Sequence, residues 1–202
     1  MPLIHTTDFE FGAYVPNRDD APNSDIIGNE PVLQGFIDEY AENCLVQTLG
    51  WELWSLLKAE LDTNGDLDVG ADQIWKDLVE GKDNYKGMLK GMLVGYVYFY
   101  WLQNDIVDYS TGGTHRLTPD SAVNTRPDSK MVLQYQKFYT QAIGSYNTGP
   151  KIVYKPFGVG VIYGSQSGSN YISMYEFLRE NDSVYPTWSP NLEIENINVY
   201  DI

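Results

Sequence analysis

Cysteine, histidine and basic residues are all scarce in this sequence, and each shortage removes a class of chemistry. Cys44 is the single cysteine among 202 residues, so no intramolecular disulfide can form and the small disulfide-stapled secreted class is excluded. Its place in a helical apolar pattern marks it as a core thiol. Histidine occurs twice, at His5 and His115, which rules out most histidine-ligated metal sites. A serine or cysteine nucleophile would have to borrow one of these two, and neither stands in a nucleophile motif. No phosphate-cradling glycine loop or dinucleotide fingerprint is present, because Gly87, Gly91 and Gly95 are four apart within a helical pattern. With no paired carboxylates singled out by spacing either, no catalytic residue and no cofactor is assigned. Long apolar runs are also missing. Met92–Leu102, the most apolar stretch, is about half the roughly 20 residues that span a bilayer, so no membrane association is expected. The opening Met1–Asp8 has neither a basic nor an apolar region, so no signal peptide is expected and synthesis is assigned to a cytoplasm.

Positive charge is short as well: 13 Lys and Arg stand against 28 Asp and Glu, for a net charge of -15. The imbalance is local. Residues 1–80 hold 17 acids against 3 bases, whereas residues 81–150 hold 5 acids against 7 bases. So acidic a surface repels phosphate, which argues against gripping nucleic acid by neutralising its backbone. What the sequence has in plenty is aromatic residues, with 16 Tyr, 5 Trp and 7 Phe. Such a surplus is common at interfaces.

The length suits one domain, and the pattern predicts a mainly α fold in three stretches of that domain. Residues 1–30 combine Pro2, Pro16, Pro22, Gly12 and Gly28 with acids and amides, which predicts an extended arm ordered by a neighbour. Residues 31–149 predict a helical bundle. Pro31 opens a helix running to Gly50, a second follows over Trp51–Leu61, and a short third spans Ala71–Glu80, closed by Gly81. The longest covers Tyr85 to about Tyr109, with Gly87, Gly91 and Gly95 on one face, either for close approach of another helix or simply tolerated there. A polar connection over residues 110–128 leads to a last bundle helix over Ser129–Tyr146. In residues 150–202 the period changes to alternation. Lys151–Lys155 and Val159–Tyr163 flank Pro156-Phe157-Gly158 as a β-hairpin, followed by a short helix near Ser173–Arg179 and a tail. A hairpin alone is marginal in water, so this stretch and the arm are expected to take their order from neighbours.

Two sets of candidate residues emerge. Asp62, Asn64, Asp66 and Asp68 place oxygen side chains at alternate positions, as a calcium loop begins. Leu67 stands where that loop needs glycine and Gln73 where it needs glutamate, and Asp, Asn and Gly are also ordinary turn residues. A calcium-binding surface or polysaccharide-associated bacterial module is the alternative reading that this loop supports. Tyr185 and Trp188, in the proline-bounded Tyr185-Pro186-Thr187-Trp188-Ser189-Pro190, and Phe157 at the hairpin tip are the candidate interface residues. Prolines lower the entropy lost on docking. The competing reading of Tyr185 and Trp188 is that they cap the subunit's own helical core.

In order along the chain come Leu3-Ile4-His5-Thr6-Thr7-Asp8, Leu49-Gly50-Trp51-Glu52-Leu53-Trp54, Trp75–Gly81, the aromatic Tyr96–Leu102, Ser110-Thr111-Gly112-Gly113, Tyr185-Pro186-Thr187-Trp188 and the closing Asn196–Ile202. This series resembles the head-to-tail connector, or adaptor, family of tailed bacteriophages, in its crAss-like version. The departures are the hairpin at 151–163, which reads as an insertion, and the ending Tyr200-Asp201-Ile202, where the family more often shows aromatic-glycine-isoleucine. The resemblance implies a structural virion protein at the head–tail junction, made in the host bacterial cytoplasm. It would form a homo-oligomeric ring, usually dodecameric, on the portal protein, with a tail or neck protein beyond. Double-stranded DNA would pass through the channel without specific binding, and an acidic wall would let it slide.

Overall fold

A computed structural model describes residues 3–10, 13, 29–83, 85, 87–105, 107–110, 113–116, 127–144, 151–155, 158–162 and 172–190, with the strands given by their backbone. Wherever side chains are described, all regular structure is helical. The elements are α1 (Asn29–Leu49), α2 (Trp51–Ala59), α3 (Gln73–Val79), α4 (Leu89–Asp105), β1 (Val107–Ser110), β2 (Gly113–Arg116), α5 (Pro127–Ala142), β3 (Lys151–Lys155), β4 (Gly158–Ile162) and α6 (Met174–Glu180). The two strand pairs are separate antiparallel ladders. β1 runs against β2 from Val107 opposite Arg116 to Ser110 opposite Gly113, and β3 runs against β4 from Lys151 opposite Ile162 to Lys155 opposite Gly158.

Helix α4 is the axis. Met92, Leu93, Val97, Tyr98, Phe99 and Trp101 are all buried, and α1 and α5 both pack on it. A helix apolar on nearly every side is stable only when covered on nearly every side. Its rings tie the bundle together. Phe36 stacks on Tyr40 at 5.7 Å and Tyr40 on Tyr100 at 4.2 Å. Tyr100 meets Tyr96 at 5.0 Å, and Tyr96 meets Phe138 of α5 at 4.9 Å. Much of the aromatic surplus is therefore spent inside the subunit, stapling α1 to α4 to α5, rather than on its surface.

Glycine spacing works as expected at one end of α4 and fails at the other. A methyl group on Gly95 would lie 3.1 Å from the Gln134 carbonyl and 3.3 Å from the Phe138 nitrogen, so α5 approaches to backbone contact there. Gly87, placed by its spacing in the same helix, stands before it at φ +59. The helix expected from Tyr85 starts only at Leu89, because Lys82 and Tyr85 exchange both backbone hydrogen bonds at 2.8 Å in a small turn that Gly87 closes. At the other end the helix stops at Asp105 rather than near Tyr109, and β1 takes over. The last bundle helix is also displaced, to Pro127–Ala142.

The arm and the tail depart most from expectation. Leu3, Ile4 and Phe9 are fully buried, with Phe9 6.4 Å from the Tyr98 ring, so this part of the arm belongs to the subunit's own core. His5 closes its turn by donating its backbone N–H to Asp8 at 2.7 Å. Met174, Tyr175, Phe177 and Leu178 of α6 are buried too. Tyr185 is buried as well, and Ile172 and Trp188 pack partly buried against the same core, whereas Val184 is exposed. Ser173 caps α6 by accepting the Glu176 N–H at 3.3 Å.

Candidate functional site

The chain doubles back on itself at one place, and three distant segments meet there. Gly50, at φ +82, breaks α1 from α2, a backbone conformation that non-glycine residues adopt at a penalty. The tail lies directly on this break. Ser189 donates its N–H to the Leu49 carbonyl at 3.3 Å, and the Trp188 indole donates to the Thr48 carbonyl at 3.1 Å. These are carbonyls that a helix C-terminus leaves without partners inside the helix, so the tail acts as a cap. A Cβ at position 50 would sit 2.5 Å from the Ser189 carbonyl, which requires glycine twice over. Tyr185 completes the clasp. Its hydroxyl donates to the Ile74 carbonyl at 2.7 Å, and its ring packs at 6.4 Å from Trp75 and 5.9 Å from Phe177. Burial pushes its phenol well above the ordinary range.

This geometry bears on the assignment of Tyr185 and Trp188 to an interface between molecules. Tyr185 is 3% exposed within the single chain and has no surface left to offer. Trp188 is half-buried, edge-on to Tyr175 at 5.2 Å. Tyr185 follows the competing reading, in which the ring caps the chain's own core, and Trp188 packs partly buried against that core. Phe157 lies outside the described residues.

The 62–68 loop is a self-closed turn rather than a coordination shell. The Asp62 carboxylate accepts the backbone N–H groups of Asn64 at 2.8 Å and Asp66 at 3.0 Å, and Asp68 accepts that of Gly70 at 2.7 Å. Asp66 turns away to Lys90 and His5, each at 3.1 Å. Partial burial raises its pKa, but the hydrogen bonds and charges of Lys90 and His5 outweigh this and hold it below the usual carboxylate range. Among the described residues no three His, Cys, Asp or Glu side chains converge as metal ligands. The Asp62 and Asp68 carboxylates are thus engaged by the loop's own backbone, as turn residues are. Cys44 is fully buried and burial pushes its thiol well up, the environment of an inert thiol.

The most distinctive open surface is one that the sequence pattern did not single out. Asp38, Glu39, Glu42 and Val46 on the outer side of α1, with Trp51 at the head of α2, line a shallow groove of about 580 Å³. Trp51 is 65% exposed. Glu42 fixes the groove's inner wall, accepting the Trp54 indole at 3.0 Å and the Lys58 ammonium at 2.7 Å. Those two hydrogen bonds, Lys58 foremost, hold its carboxyl below the usual range. The one available signal was that Trp51 falls off the apolar stripe of Leu53, Trp54 and Leu57.

Comparison with protein-family models, with curated proteins and with solved structures returns no match. Among the described residues no helix is long and apolar enough to cross a membrane.

Proposed function

We propose that this chain is a structural subunit of a tailed-phage virion. In this reading it forms a homo-oligomeric, dodecameric ring that sits on the portal at the head–tail junction, carries a tail or neck protein, and continues the DNA channel. Its role is architectural rather than catalytic. The observation that carries the reading is where the family-like segments lie. Leu49–Trp54, Trp75–Gly81 and Tyr185–Trp188, far apart in sequence, meet in one clasp: the Tyr185 ring packs on Trp75 at 6.4 Å, and Trp188 and the adjoining Ser189 donate to Thr48 and Leu49 at the end of α1. Leu3–Asp8 packs into the same core that Tyr96–Leu102 organises. Segments that resemble a family in their order are thus also the segments on which this fold depends.

The charge pattern supports the same reading. With 17 acids against 3 bases in residues 1–80, a channel wall built from this part repels DNA phosphates and lets the genome slide. The β3–β4 hairpin is the segment this proposal gives to neighbours in the ring, with Phe157 at the hairpin tip as a contact residue. The test is native mass measurement and electron microscopy of the purified chain, alone and mixed with the portal of the same phage. A closed ring seated on the portal is expected. A chain that stays monomeric at high concentration and ignores the portal overturns the proposal.

A further inference from the structure

The groove at Trp51 combines features that suit a particular partner. Its apolar part is a large, rigid ring held out in water, and its rim is the carboxylates of Asp38 and Glu39, both exposed. An exposed tryptophan ringed by acids suits a segment offering one apolar side chain flanked by cations. This chain holds such a segment. On α5, Leu133 is 60% exposed although the helix is otherwise packed on α4, and Lys137, one turn on, is exposed as well. Residues 81–150, which include α5, hold 7 bases against 5 acids.

The two surfaces cannot satisfy each other within one subunit. α1 and α5 both pack on α4, and the aromatic ladder runs from Tyr40 across Tyr100 and Tyr96 to Phe138, so α4 lies between them. Complementary patches on different faces of one molecule make a head-to-tail contact, which closes into a ring when the rotation allows.

We propose that the Trp51 groove receives the α5 face of a second copy of this chain, with Leu133 against the indole and Lys137 facing Asp38 and Glu39. This rests on the ring reading above and names its subunit contact. Burying Leu133 and Trp51 removes two isolated apolar side chains from water, and the opposed charges set the orientation rather than supplying most of the affinity.

Charge reversal tests it without touching the core. Glu39→Lys and Lys137→Glu each place like charges across the contact, and sedimentation velocity over a concentration series should show self-association weakened roughly tenfold or more in either variant. Mixing the two in equal amounts should restore it, because each variant's altered face then meets the other's altered face and the unaltered faces still match. Thermal melting of each free subunit, unchanged from the parent, certifies that the fold is intact. Assembly by both variants as well as the parent overturns this contact while leaving the ring reading standing. Weakened assembly that mixing fails to rescue also overturns the pairing of these two faces. A parent chain that never self-associates, with or without its portal, overturns both.

Discussion

The tail clasp and the outer face of α1 each present a tryptophan, and they use it in opposite ways. Trp188 turns inward, its indole capping the end of α1 through the Thr48 carbonyl and its ring edge-on to Tyr175. Trp51, one residue past the glycine that Trp188's own segment covers, turns outward into an acidic groove. Both sit at the same helix break, so local sequence does not decide between them. What decides is the supply of partners. The end of α1 leaves carbonyls to be satisfied and the tail arrives to satisfy them, whereas the Trp51 ring is left 65% exposed. Neither proline flanking nor aromatic identity is enough to mark an interface residue. A ring that completes a hydrogen bond inside the chain is architecture, and a ring that remains in water beside charge is available for recognition.

The comparison is sharpened most by Tyr185→Ala. It deletes a buried ring and a hydrogen bond donated to the Ile74 carbonyl, and should destabilise the free chain by about 3–5 kcal/mol, read as the loss in unfolding free energy by denaturant titration. A loss below about 1 kcal/mol would place Tyr185 back among the surface residues. Next comes the helix packing that both regions share. Gly95→Ala pushes a methyl against the α5 backbone and should lower stability by about 1 kcal/mol, overpacking exceeding the gain in helix propensity. Gly91→Ala meets the movable end of the Gln141 side chain, so the propensity gain of up to about 1 kcal/mol should prevail. Opposite signs for the two variants in one thermal melting series are expected.

These two glycines also mark how far the sequence could be read. Helical spacing located α1, α2, α4 and α5 because their apolar residues recur with the helix, and the close approach at Gly95 was one of the two readings it left open. It could not place Gly87, since four-residue spacing continues across a turn as readily as along a helix. The tail's contacts were not legible for a different reason: the Tyr185 partner lies 111 residues away and the Trp188 partner 140, and no periodicity encodes pairing at that range. The same holds for Leu3, Ile4 and Phe9, whose burial depends on α4. Of the candidate site, the calcium-like loop was legible only as a loop, because Asp62 serves equally as a ligand or as a turn acceptor. Trp51 was legible as off the apolar stripe, but not as one wall of a groove.

A smaller effect distinguishes the groove's wall from its rim. The Glu42 carboxyl is held below its unfolded value by Lys58 and Trp54. Its contribution is therefore present above the unfolded carboxylate pKa and is lost as pH falls through the lower folded value. At 44% side-chain exposure, solvent limits this to less than about 1 kcal/mol. Glu42→Gln should accordingly lower stability slightly at pH 7 and leave a smaller gap at acidic pH. Urea titrations at both values check it, and a gap that widens on acidification would contradict the pairing.

The most direct test sets the two tryptophans side by side in thermal unfolding of the free subunit. Trp188→Ala removes a half-buried ring and a helix cap, about 2 kcal/mol, which for a chain of this size lowers the melting midpoint by about 4–8 °C. Trp51→Ala removes a ring already in water and should leave the midpoint within about 1–2 °C of the parent, in line with surface substitutions of about 0.5 kcal/mol or less. The reverse order, with Trp51→Ala melting early and Trp188→Ala unchanged, would contradict the division of the molecule into a self-capped core and an open recognition face.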